Sequence, residues 1–157
     1  MAHLGSFSAH VDAAPDATFA RITDVSGLAD WNRGIVEIVE MPERLEPGAV
    51  WKVKIRALGS TWVSRSQVSQ IDPVKGRFVH RSQSDDGNPS YATWTWEVTP
   101  EGGGSNVTVS YELFPKSFWR KHLLIKIRKP ALRKEVERSL AALADSFGGG
   151  TGPRSSD

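Results

Sequence analysis

The residue best placed to do chemistry is His80. Phe78, His80 and Ser82 alternate with Arg77, Val79 and Arg81, so a strand here puts His80 on the apolar side beside Phe78. An imidazole in an apolar interior can act as general base or acid. It can equally be a neutral buried ring bonded to Ser82 or Ser66. No carboxylate shares its phase to orient it, as a catalytic histidine needs. Ser64, Ser66, Ser82 and Tyr111 fall on the same side. Such a set can fix the carbonyl or hydroxyl of a ligand or hold buried water. No G-x-S-x-G surrounds any of these serines, which argues against a nucleophilic serine. Trp31, Trp51, Trp62, Trp94 and Trp96 either stack on a flat ligand or fill the core. His3, His10 and His122 lack ligand spacing, so no metal is expected, and no cofactor motif is visible. Gly102, Gly103 and Gly104 form a turn rather than a phosphate loop, because no helix start follows.

A second chemical feature is charge. Between Lys116 and Lys134 there are 8 basic residues and no acidic one, whereas the rest of the chain carries 12 basic against 18 acidic. Arg120, Lys121, Lys126, Arg128, Lys129 and Arg133 are interleaved with Phe118, Trp119, Leu124 and Ile125. This pattern suits a solvated helix face with snorkelling side chains. It also suits reversible docking on an anionic membrane. No recognition motif accompanies it, so nucleic acid is not an expected partner.

The elements that must position these groups follow from periodicity. Leu132, Val136, Leu140, Leu143 and Phe147 form one helical stripe, within a helix expected from Phe118 to Phe147. Ser117 is its candidate N-cap, Pro130 its candidate kink, and Gly148 its stop. Phe7, Ala9 and Val11 alternate with polar neighbours as a first strand. Pro15 and Asp16 open a short helix, and Ser26 is placed to cap a second one carrying Leu28 and Trp31. Six more strands follow, among them 51–58, 61–68, 77–82, 93–98 and 107–113. Gly59-Ser60 reads as a two-residue hairpin loop that would set Val53 against Ser66 and Ile55 against Ser64. Short turns imply an antiparallel sheet with one covered face. The expected class is therefore α+β: a curved seven-stranded antiparallel sheet wrapped around a long C-terminal helix. A cavity between them would be lined by Trp51, Val53, Ile55, Ser64 and Ser66, and by Phe78, His80, Ser82, Trp94 and Trp96. Val109 and Tyr111 would complete the sheet side, with Trp31, Leu124, Ile127 and Leu140 contributed by helices.

The 157 residues, 39% apolar and 24% charged, fit one domain over 1–147 with a flexible tail over 148–157. The absence of cysteine excludes disulfides and thiol chemistry and fits a cytoplasmic location, peripheral to the membrane if the basic segment docks. No run is long and apolar enough to span a bilayer.

Several joints resemble those of the START-like (SRPBCC) helix-grip domains, specifically the bacterial polyketide cyclase/dehydratase and lipid-transport group. They are Val11 to Pro15 leading into Phe19, Ile22-Thr23-Asp24, Asp30-Trp31-Asn32, and Leu45 to Trp51 with Pro47-Gly48. Ile71-Asp72-Pro73, Thr93 to Val98 and Leu140-Ala141-Ala142-Leu143 complete the set. The resemblance implies an internal cavity for apolar or aromatic ligands. It leaves function open, because such joints are structural. A carrier or sensor of a small hydrophobic ligand, monomeric or weakly dimeric, is the expected function. The alternative is a cyclase or dehydratase using His80 with Tyr111 as proton donor. In a weaker third reading the exposed face, with Arg65, Gln67 and Arg81, docks a protein.

Overall fold

A computed structural model describes residues 3–57, 59–84, 90–114 and 125–148, with the backbone alone for 3, 4, 57, 125–132 and 148. The order is β1 (His3–Val11), α1 (Pro15–Ile22), a 3-10 turn (Val25–Gly27), α2 (Leu28–Trp31), β2 (Ile35–Glu40), β3 (Val50–Ala57), β4 (Ser60–Asp72), β5 (Arg77–Ser84), β6 (Tyr91–Glu101), β7 (Gly104–Phe114) and α3 (Ile125–Gly148). The seven strands form one antiparallel sheet in the order β1-β7-β6-β5-β4-β3-β2. The expected α+β helix-grip class is the observed one.

The alternating strands sort cleanly. Val11, Val53, Val68, Phe78, Val98, Val107 and Val109 are buried on one face, and Ser6, Ser8, Arg81 and Thr99 are exposed or half-buried on the other. Val136, Leu140 and Leu143 of the helical stripe are buried, and α3 packs on β1 and α2. The far end of α3 is held by α1: the Arg21 guanidinium donates to Ser146 Oγ at 2.6 Å and lies 4.4 Å over the Phe147 ring. Ser139, buried in the same helix, accepts from the Arg33 backbone N–H at 2.9 Å and ties the loop after α2 to it. The sealed hydroxyls of Thr18 and Ser105 bond to Ala14 and Ala13 carbonyls, at 3.0 and 2.7 Å, so α1 docks on β7 without orphaned polar groups.

Two local expectations are corrected. The β3–β4 pairing closes at Ala57↔Ser60, with Gly59 in the turn at φ +74. The register is therefore Ile55↔Trp62, Val53↔Ser64 and Trp51↔Ser66, two residues from the one Gly59-Ser60 implied. Glycine there supplies the positive φ that a tight hairpin requires. A slip of two keeps every side chain on its face, so only the partners change. Second, Ser26 caps nothing: the Asp24 carboxylate caps the 3-10 turn, accepting from the Ser26 backbone at 3.2 Å, and α2 has no side-chain cap. The described part of α3 runs continuously through Pro130 and has Gly148 as its last residue. The expected start near Ser117 and the tail beyond Gly148 lie outside the described residues.

The grip on α3 rests on burial, and this gives a direct test. Leu143→Ala should cost about 2–5 kcal/mol, because Leu143 has no accessible surface. Ala141→Ser, on the exposed side of the same turn, should cost about 0.5 kcal/mol or less. Urea unfolding of both variants measures the difference.

Candidate functional site

The inner face of the sheet is dry at one end and partly open at the other. Toward the end covered by α1 and α2, Val68, Phe78, Trp96, Val98 and Val107 are buried. Toward the opposite end, Ile55 on β3, Trp62 and Ser64 on β4, Ser82 and Ser84 on β5, Trp94 on β6 and Leu113 on β7 all keep partial exposure. In an antiparallel sheet these positions are neighbours, since strand ends alternate in direction.

At the boundary lies one cross-sheet row: His80↔Trp94, Trp94↔Tyr111, Tyr111↔Gly5. The glycine is required, because a Cβ at position 5 would strike the Tyr111 ring. Tyr111 lies stacked on Phe7 with ring centres 6.4 Å apart and tilted against Trp94 at 5.1 Å. His80 sits among Trp51 at 4.9 Å, Phe78 at 5.2 Å and Trp94 at 6.4 Å. Trp31 closes the buried end, edge-on to Trp96 at 5.6 Å.

The hydrogen bonds of this row set the state of His80. Trp96 Nε1–H donates to His80 Nε2 at 3.2 Å. An indole nitrogen only donates, so Nε2 must be the acceptor and the neutral ring carries its proton on Nδ1. His80 keeps a little residue exposure, but Nδ1 is sealed and has no hydrogen-bond partner among the described residues. Burial pushes the imidazole pKa down to about 3. Protonating Nε2 would also set two N–H donors against each other. His80 is thus a neutral group at physiological pH. The expected bond from Ser82 to the histidine is not made: the Ser82 hydroxyl accepts from Trp94 Nε1–H at 3.0 Å.

The residues expected around a cavity fall as follows. Trp51, Val53, Ser66, Phe78, Trp96, Val109 and Tyr111 are buried on the inner face, and Trp31 and Leu140 are buried in the helices behind it. Ile55, Ser64, His80, Ser82 and Trp94 hold the partly exposed positions. Ile127 is in α3, described by backbone alone, and Leu124 lies outside the described residues. Of the basic segment, Arg120 and Lys121 also lie outside them, and Lys126, Arg128 and Lys129 are backbone positions in α3. Arg133 is exposed, with its guanidinium 5.3 Å over the Phe7 ring. No helix of the described residues is long and apolar enough to cross a membrane, and no group of three or more His, Asp or Glu there could hold a metal ion. An open depression of about 410 Å³ lies against Gly5, Ser6, Thr93, Thr95, Ser110, Tyr111 and Glu112, and His80 is not among the residues that line it.

Two groupings were not visible in the sequence. Ser84 joins the inner serines, because β4 and β5 pair it with Ser64 and pair Ser82 with Ser66. His10, at the opposite end of the sheet, is held by Glu101 at 2.6 Å and Asp12 at 3.0 Å. Its pKa is raised, chiefly by the hydrogen bond to Glu101. Ninety residues separate His10 from Glu101, so spacing could not reveal the contact.

The two histidines should leave opposite marks on stability. A lowered folded pKa means the unfolded chain binds the proton first, so stability is lost as pH falls from about 6.5 toward about 3. Its slope is about 1.4 kcal/mol per pH unit. A raised pKa works the other way: the His10 contacts contribute below about 6.5 and their contribution is lost as pH rises through the folded value. Urea midpoints for His80→Leu and His10→Gln, each subtracted from wild type at pH 4 to 8, should show the first trend below about pH 6.5 and the second above it.

Comparison with known proteins places this geometry. Residues 4–148 match the sequence profile of the family described as polyketide cyclase/dehydrase and lipid transport. No curated protein matches the sequence. An aromatase/cyclase from Streptomyces sp. R1128 is similar in structure with a TM-score of 0.75 at 14% identity, over 97% of this chain and 100% of that one. A START superfamily protein from Mycobacterium smegmatis gives 0.74 at 14% identity, over 95% and 99%. Protein CV1439 from Chromobacterium violaceum gives 0.73 at 20% identity, over 92% and 96%. At these identities the likeness is one of fold.

Proposed function

The chain belongs to the polyketide cyclase/dehydrase and lipid transport family, and from that premise we propose that it carries or senses a small hydrophobic ligand held between the sheet and α3. The observation that carries this reading is the division of the inner face. A core meant only for stability would be dry from end to end. Here Ile55, Trp62, Trp94 and Leu113 stay partly exposed at one end of a face otherwise buried. Large apolar side chains that keep accessible surface on an otherwise buried face are what an apolar ligand would cover.

Binding is favoured over catalysis by the chemistry of the row. A general base works best with a pKa near the operating pH, and His80 lies far below it. Its Nε2 lone pair is already engaged by Trp96. Tyr111 is two strands away with Trp94 between, about 10 Å from strand to strand, so the two do not act as one acid–base pair on a small group. No Asp or Glu stands on the inner face of β3 to β7 among the described residues.

A carrier should come out of its own host with a ligand bound, visible by native mass spectrometry and released on denaturation. His80→Ala should weaken binding of that ligand by about 1 kcal/mol or less, the worth of one hydrogen bond. If the ligand is turned over, and the same variant slows turnover by about a hundredfold or more, the cyclase-type reading replaces this one.

A further inference from the structure

The β4–β5 register builds a feature that no strand carries alone. Ser64↔Ser84 and Ser66↔Ser82 are direct partners, so four hydroxyls form a two-by-two lattice on the inner face. Partners across the strands stand about 5 Å apart, and neighbours along a strand about 7 Å. The lattice is walled by aromatics: Trp51 is the partner of Ser66, and Trp94 donates its N–H to Ser82. Ser66 is buried at 4% exposure. The Ser64, Ser66 and Ser84 hydroxyls make no hydrogen bond among the described residues. Ser82 accepts from Trp94 and keeps its own proton to donate. The sealed side-chain atoms without a partner among the described residues are Trp31 Nε1 and His80 Nδ1, so the serine hydroxyls are open rather than sealed, and open hydroxyls on an apolar face are available to a ligand.

From this geometry we infer that the lattice is the polar floor of the ligand site. It takes uncharged oxygen groups, hydroxyl or carbonyl, set about 5 Å apart on one edge of a flat apolar molecule. The inference rests on the carrier reading and names the class of its ligand. Two features argue for uncharged groups. Serines both donate and accept, so they match hydroxyl and carbonyl alike. The sheet around them has no Lys or Arg on its inner face among the described residues. Arg133 is exposed and lies over Phe7 on β1, three strands from Ser82 and Ser84 and four from Ser64 and Ser66. Among the described residues no countercharge meets a carboxylate set on this floor, where it would be desolvated.

The test uses three bicyclic probes of one shape: naphthalene-2,7-diol, naphthalene and naphthalene-2-carboxylate. Binding is read by quenching of the tryptophans in the wild-type chain, in Ser64→Ala/Ser66→Ala, and in the outer-face control Ser8→Ala. The diol should bind about tenfold or more tighter than either of the others. In the double variant its advantage over naphthalene should fall by about tenfold, while Ser8→Ala keeps it. The double variant should melt with the wild type, because neither hydroxyl serves the fold. A diol advantage that survives the double variant overturns the inference and leaves the carrier reading standing. So does carboxylate binding as tight as the diol, or a double variant that melts clearly lower. Failure of all three probes to bind overturns both.

Discussion

The structure depends on burying one apolar stripe of α3. Val136, Leu140 and Leu143 leave water by packing into the core formed with β1, α2 and the inner face of the sheet, at about 25 cal/mol for each Å² buried. That requirement fixes which side of every strand faces inward, and so which side chains become available to a site. It also explains the pins at the far end. Arg21 on Ser146 and Phe147, and Arg33 on Ser139, hold the helix where its stripe meets the sheet. Where α1, α2 and the end of α3 converge, the interior is dry. Away from them it is not.

Chemistry is laid on this frame by rows that run across strands. His80, Trp94, Tyr111 and Gly5 are contributed by four different strands. A single indole N–H sets the tautomer of the histidine, and burial removes its charge. The result is a ring that behaves as part of an aromatic wall. In the same way the serines become a floor by pairing, since each is unremarkable in its own strand and only the β4–β5 register makes them a lattice. A pairing shifted by one residue would turn these groups out to solvent.

The hairpin at Gly59 shows how far local reasoning reaches. Turn chemistry located the bend correctly within one residue, yet the partners it implied were each displaced by two. The faces survived because side chains alternate with period two. The contacts did not, because a register is the sum of a turn and a whole ladder. Likewise the N-cap at Ser26 was a sound local guess that lost to Asp24, whose carboxylate reaches two residues forward to the Ser26 N–H and hydroxyl.

What the sequence alone determined is everything written in a local period: the strands, the helical stripe, the inner placement of Phe78, His80 and Trp94, and the family resemblance carried by the joints between elements. Alternation and the 3.6-residue turn act within a few residues, so they can be read along the chain. The tertiary structure decided the rest. It brought Ser84 to Ser64, Trp96 to His80, and Glu101 to His10. It divided one apolar face into a dry end and a partly open end. These are contacts between residues distant in sequence. They exist because strands pair in one register and one helix covers one part of the sheet, and the free energy that selects that arrangement belongs to the assembled fold rather than to any segment of it.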